Sequence, residues 1–444
     1  MSAGTFVNPV DALLDRIAER PIPTEPKRIH RYVMNLDGLG AVTPRLLQNA
    51  PFPRFFWRSR ESGFPLAAGG QVAVGRLSEM EEWLQRADAG VRILGGRAFN
   101  PDSSGKEGWQ SFRGEHFFIP KVEIFESPNG VQLAVQMTAE DHDISKLAEW
   151  MEGLQEVNGM GTSWRPGEPS ALARWDSPNF HDWAASVNGA LLAFQNGKLE
   201  KVVLARESKL ELAKPCCPFA LLEKLTAEAE NCFHFCFQPE LAGGAFLGAS
   251  PELLYRREGQ FLWGEAVAGT RPRSLDPAED ARLGEQLLQI PKERHEHRVV
   301  VEALERNFEQ ICAHYQHDPE PVILKLARVQ HLRTGFRGTL RDDRNDPAIL
   351  QALHPTPATC GRPTAEARRF LESAEEFGRG WYSGPLGVVS KDEAEFTVAI
   401  RSLHLQGAIL RAYAGAGIVA GSDPEKEWME LESKIAGPLR ILTK

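Results

Sequence analysis

Long apolar runs are missing from this 444-residue chain. Nothing approaches the roughly 18 consecutive apolar residues of a membrane-crossing helix, so no membrane partner is expected. The first twenty residues carry scattered acids and no apolar stretch of the kind a secretory leader needs. Positive charge is not in excess. The formal net charge is -9, which argues against a nucleic-acid partner. An acidic chain can still hold an anionic substrate if a cation or a local basic cluster neutralises it. Cysteine is sparse, and Cys216, Cys217, Cys232, Cys236, Cys312 and Cys360 form neither a CxxC pair nor a zinc spacing. They read as reduced thiols of a cytoplasmic protein. Low-complexity tracts, internal repeats and an obvious linker are also lacking. What remains, at 42% hydrophobic and 25% charged residues, is a globular chain with material for a large core.

Residues 1–170 are the less legible part. "HFFIPKVEIFES" and "GVQLAVQM" alternate like strands around Pro128-Asn129-Gly130, which predicts a hairpin. A helix is expected over 143–157, with Asp143 as its N-cap. From Phe180 the pattern sharpens. "FHDWAASVNGALLAFQNG" predicts a helix closed by Gly197, and "LEKVVLARESKLEL" a strand. A long helix is expected from about Lys292 to His314. Near the end, "GPLGVVS" and "EAEFTVAIRSLHLQGAILRAYAGAGIV" predict three strands, with turns at Lys391-Asp392 and Gln406-Gly407. Hairpins dominate and βαβ alternation is absent. The fold class is therefore α+β, with large antiparallel sheets packed face to face and helices on the outside. One catalytic domain is expected, with 1–170 as its divergent N-terminal part and 180–440 as its core.

Several constellations carry chemistry. "GAGIVAGSDPEKEWMELESK" reads as a glycine-rich loop running into a helix. Gly415, Gly417 and Gly421 do not have the GxGxxG spacing, and no βαβ unit follows, so a dinucleotide site is not expected. Glycine there lets the backbone approach a ligand closely. On the helix that follows, Glu427, Glu430 and Lys434 share one face. In "KERHEHRVVVEALERNFEQI", Glu296 extends the apolar stripe of Val300, Leu304, Phe308 and Ile311. A carboxylate there must be paired or metal-bound. Together with Glu430 it would suit octahedral Mg²⁺ completed by water or substrate oxygens. Lys201 stands at the edge of a strand, and Glu252 follows a Ser-Pro turn. Alone, each reads as structural. Gly269 and Thr270 form a turn suited to a carboxylate. Arg401, in the middle of an apolar strand, needs a bidentate carboxylate partner.

Read in order, "KVVLAR", "SPELL", "EAVAGTRPR", "HEH", "HPTPATCGRP", "GWYSGPLG", "AIRS" and "AGAGIVAGSDPEKEWMELESK" resemble the motifs of the chorismate-utilising enzyme family. The likeness covers residues 180–440. Its isochorismate synthase branch, of the menaquinone-pathway type, is the most similar. Ala268 stands where aminodeoxychorismate synthases carry a nucleophilic lysine, and "HPTPATCG" differs from the anthranilate version. The resemblance implies interconversion of chorismate and isochorismate, with Mg²⁺ as the only cofactor. It implies no glutaminase subunit, and a monomer is expected. By the same resemblance Lys201 is the base that activates water for attack at C2, and Glu252 the acid that protonates the departing C4 hydroxyl. Glu296 and Glu430 are metal ligands, with Glu427 and Glu293 as water-mediated support. Arg401 and Tyr382 bind the enolpyruvyl carboxylate, while Gly269, Thr270, Gly417 and Lys434 surround the substrate carboxylates and metal. His331 is either a satisfied core histidine or a neighbour of the C4 side. For these roles Lys201 must be desolvated or near positive charge, and Glu252 must stay protonated away from solvent. A salicylate synthase, an anthranilate-type enzyme and a non-catalytic ligand-binding paralogue are the alternatives.

Overall fold

The computed structural model describes residues 17, 24–36, 39–102, 108–140, 169–326 and 328–442. The helix expected over 143–157 lies outside them. Among the described residues twenty strands pair antiparallel with one another, in two arms that diverge from the strand Glu115–Ser127. One arm runs through Pro65–Gly75, Arg54–Arg58, Phe233–Gln238, Ala245–Ser250, Ser402–Gln406 and Ile409–Val419 to Lys201–Leu212. The other runs through Arg92–Arg97, Pro385–Ser390, Glu393–Val398, Leu253–Glu258 and Phe261–Pro272 to Val329–Leu340. The 128–130 hairpin forms as expected, with Ser127 opposite Gly130.

The arms enclose an aromatic core. Phe55, Trp57, Phe118, Phe235, Phe237, Phe246 and Trp381 are buried there together with Leu94 and Leu386. Phe237 stacks on Trp381 with centroids 5.1 Å apart. Each such side chain contributes about 1.5–3 kcal/mol by leaving water. Helices cover the outer faces. Trp183, Val187, Leu222, Leu431 and Ile435 pack on Val202, Leu204 and Leu410 of the first arm. Val300, Leu304 and Phe308 pack on Leu262 and Phe336 of the second. The α+β class with face-to-face antiparallel sheets is what the patterning predicted.

Three expectations need correction. The long helix spans Pro291–Ile311, because Cys312–His317 turns into a strand against Val329–Leu340. The final stretch holds four strands, not three. Glu393–Val398 and Ser402–Gln406 are separated at Arg401, whose φ of +52° breaks extended backbone. Lastly, Gly415 and Gly417 are not in a loop. They lie within the strand Ile409–Val419, paired opposite Ala205 and Val203, and only Gly421 is in the turn before the helix Pro424–Leu439.

The helix Asp346–Leu353 is tied to the second arm by a buried fork. Arg257 grips both carboxylate oxygens of Asp346 at 2.7–3.2 Å, and Tyr255 donates to the same group at 3.0 Å. Asp346→Ala would leave Arg257 buried and unpaired. It should lower unfolding free energy by about 3–5 kcal/mol, read as a fall in the urea midpoint at unchanged m-value.

Candidate active site

A narrow cavity opens where the ends of both arms meet two helices. Its floor is the pair Val203 and Gly417 with neighbouring Gly415. One wall is the bulge Ala268–Thr270, where Gly269 has φ +76°, a conformation glycine adopts without strain. Glu252 enters from the turn after Ala245–Ser250, and Tyr382 and Arg401 from two turns beside it. Glu296 reaches in from the helix Pro291–Ile311. Glu430 and Lys434 reach in from Pro424–Leu439, which Asp423 caps through the N–H groups of Glu425 and Lys426.

Gly417 is required by a neighbouring side chain. A Cβ there would stand 2.1 Å from Glu296 Oε1 and 3.2 Å from Lys201 Cε. The missing side chain thus makes room for an acid and an amine. Lys201 is wholly buried, and its Nζ lies 2.9 Å from Glu296 Oε1 without the angle of a hydrogen bond. Lys201 does not itself line the cavity; Glu296 stands between. The lysine is desolvated, as expected of a base, but its near neighbour is negative.

Glu252 lies away from solvent. It is buried, and the charge of Glu265 adds to the cost of burial, so its carboxyl is raised to about 8. The group is protonated at neutrality and able to donate. Its backbone is pinned, because Thr397 Oγ1 donates to Glu252 O at 2.6 Å and Ser250 Oγ accepts from Glu252 N at 3.3 Å.

Positive charge gathers opposite. Lys434 donates to Gly415 O at 2.9 Å and pairs with Glu430 at 2.6 Å, and that pairing holds the Glu430 carboxyl below its usual range. Arg401 has no carboxylate partner among the described residues. Burial lowers its pKa. Its left-handed backbone costs about 1–3 kcal/mol, a kind of strain found at ligand clamps. Tyr382 is buried and stacks on Tyr413 at 5.2 Å; burial keeps its phenol protonated. His331 is buried and lowered to about 3, so it is neutral. Its Nδ1 lies 3.1 Å from Gly269 O, which can only accept. Nδ1 therefore carries the proton and Nε2 the lone pair. His331 lines the cavity and is not merely a core residue.

The four glutamates do not form one cage. Glu296 and Glu430 line the cavity. Glu427 pairs with Lys292 at 2.5 Å, and Glu293 accepts the Thr270 N–H at 3.1 Å; neither lines the cavity. Among the described residues no three His, Cys, Asp or Glu side chains gather closely enough to hold a metal. They nonetheless sense one another. Burial and the charges of Glu296 and Glu430 raise Glu293, and burial and Glu430 raise Glu427. Two oxygen donors with an acidic surround fit Mg²⁺, which commonly takes one or two carboxylates and fills its shell with water and ligand oxygens.

Sequence reading missed the support behind Tyr382. Arg379 and Glu375 form a buried pair. Arg379 donates to Thr359 O and Val203 O, and Glu375 accepts the Ala205 N–H at 2.9 Å. The pair joins "HPTPATCG" to the cavity floor. Arg379 in "FGRGWYSG" was the available signal.

Comparison places this site in a family. The chorismate binding enzyme family matches residues 45–443, and the chain belongs to it. Similar proteins within it are isochorismate synthases. Isochorismate synthase MenF of Escherichia coli is 32% identical over 89% of this chain and 89% of its own length. The solved structure of that menaquinone-specific enzyme superposes with a TM-score of 0.83 at 29% identity, covering 98% of this chain and 99% of that one. Isochorismate synthase 2 of Arabidopsis thaliana is 36% identical over 78% of this chain, but the chain spans only 63% of that chloroplastic protein's length. No described helix is long and apolar enough to cross a membrane.

Gly417→Ala should drive Glu296 out of its place at the cavity floor while leaving the strand pairing intact. Turnover of chorismate should fall about 100-fold, with an unchanged circular dichroism spectrum. Near-wild-type turnover would mean that Glu296 has no fixed place in the site.

Proposed function

We propose that the chain is an isochorismate synthase of the menaquinone-specific type, interconverting chorismate and isochorismate. One observation carries this reading. A buried carboxylic acid that stays protonated shares a cavity with an unpaired arginine, a lysine and two glutamates. Such a cavity suits a dianion that must lose a hydroxyl group.

Arg401 and Tyr382 receive the enolpyruvyl carboxylate, the arginine through its open guanidinium fork. The Gly269-Thr270 turn, Gly417 and Lys434 lie against the rest of the substrate. Glu296 and Glu430 would hold Mg²⁺, which when bound neutralises the ring carboxylate. Glu293 and Glu427 stand behind them as negative support. Lys201 takes a proton from the water that attacks C2. The ring double bond shifts as the C4–O bond breaks, and Glu252 gives its proton to the departing hydroxyl. One water enters and one leaves, and solvent restores both protonation states. Nζ engaged with Glu296 cannot take that proton, so the base role requires this contact to open when the site fills. His331 Nε2 offers an acceptor to a substrate hydroxyl. Strands from both halves of the chain pair in one sheet system, which supports reading it as one catalytic unit.

Two tests follow. Purified protein with chorismate and Mg²⁺, analysed by chromatography, should give a chorismate–isochorismate mixture that EDTA abolishes. Salicylate with pyruvate would instead place the activity on the salicylate branch. Lys201→Ala should abolish turnover while chorismate still binds; substantial turnover would refute the base. The rate should also depend on pH in a definite sense. Glu252 acts when protonated, so kcat should fall as pH rises through about 8, and Glu252→Gln should remove the acid altogether.

A further inference from the structure

Resting on that reading, we infer that Arg60 and Glu265 form a positioning device for Glu252, supplied partly by the N-terminal third of the chain. Glu265, wholly buried on the strand Phe261–Pro272, is held in a two-pronged fork by Arg60, at 2.6 Å and 3.1 Å. The same pair grips both neighbours of the acid. Arg60 Nη1 donates to Pro251 O, and Glu265 Oε1 accepts the Leu253 N–H at 3.0 Å. Residue 252 is therefore fixed from either side by one ion pair. Arg60 also lies over the Phe233 ring, 5.2 Å from its centroid, which limits its own freedom. From the far side, Arg333 Nε donates to Glu265 Oε2 at 2.7 Å.

The device has an electrostatic consequence as well. Glu265 presents a negative charge to Glu252, while Arg60 presents a partly cancelling positive one. Lys201 and Lys434, from the strand Lys201–Leu212 and the helix Pro424–Leu439, add further positive charge on the cavity side. Arg401, Glu296, Glu430, neutral His331 and the phenols of Tyr382 and Tyr413 are the other titratable groups lining the cavity. Of these groups, Glu265 contacts the acid's own backbone neighbour and opposes its ionisation. A purely structural ion pair would be expected to stabilise the turn and leave the acid's ionisation alone.

The experiment is the pH dependence of kcat for wild type, Glu265→Gln, Arg60→Met, Arg60→Lys and Arg333→Ala. Losing the Glu265 charge leaves two arginines uncompensated, so the alkaline limb should move down by about one pH unit. Losing Arg60 or Arg333 should move it up, and Arg60→Lys should restore it towards wild type. Arg333 is partly exposed and outside the fork, so its variant keeps the test available if Arg60→Met does not fold. Lowered activity in every variant with an unmoved limb, or limbs moving the same way, would overturn the inference. Infrared titration of the carboxylic acid band that Glu252→Gln removes gives the same midpoints without substrate. A wild type inactive on chorismate whose band shifts as described would sink the proposed activity and keep the device.

Discussion

One absent side chain sets the geometry of this cavity. The strands Lys201–Leu212 and Ile409–Val419 pair so that Val203 faces Gly417, and the space a Cβ would fill is taken by Glu296 and the stem of Lys201. Because the period of a strand is two, a slip of one residue in this pairing would put Gly417 and Lys201 on opposite faces of the sheet. Hydrophobic burial guards against that slip. Val202 and Leu204, and Ala416 and Ile418, point into the helix-covered core on the alternate face. The chemistry of one face is thus held in register by the packing of the other.

Charge in the cavity is sorted by what each group can touch. Glu430 has Lys434 against it and lies below the usual carboxylate range; Glu252 has no donor of that kind and lies far above it. Two carboxylates within one cavity are pushed apart in acidity by their surroundings, the arrangement expected where one must give a proton and the other stay charged. Arg401 completes the pattern from the opposite direction. Its cation is half-buried, no carboxylate among the described residues pairs with it, and its backbone is held in a left-handed conformation. Both costs would be offset by a bound carboxylate, so the site is arranged to be most favourable when filled.

Much of this was legible because the motif residues sit at turns and strand ends, where proline, glycine and charge interrupt apolar patterning. "SPELL", "AGTRPR" and "GWYSG" all mark such places, and their side chains do converge. What patterning misjudged was the backbone. "AIRS" looks like continuous strand because Ala399 and Ile400 are apolar, yet the strand stops at Val398 and Arg401 is left-handed. "AGAGIV" looks like a loop because glycine is rare in strands, yet there its smallness serves close packing of side chains across a sheet. The partners of the metal-site glutamates were also hidden. Spacing places Glu427 on the right helical face, but not that Lys292 of another helix would draw it away.

The first third of the chain resisted reading for a different reason: its contribution is pairing and packing instead of motif. Arg54–Arg58 covers the edge of Phe233–Gln238, and Arg92–Arg97 covers that of Pro385–Ser390. Without them both strands would present open edges, and the second leads back directly to the turn that carries Tyr382. The same segment supplies Phe55, Trp57 and Phe118 to the core between the arms, where Phe237 and Trp381 stack. Trp381 immediately precedes Tyr382, so loosening this core would release a ligand-facing side chain by way of its neighbour. The reach of Arg60 to Pro251 works on the same principle at the acid. Residues with no recognisable motif thus hold in place those that have one, and the cost of losing them would appear in the positions of Tyr382 and Glu252 before it appeared as unfolding.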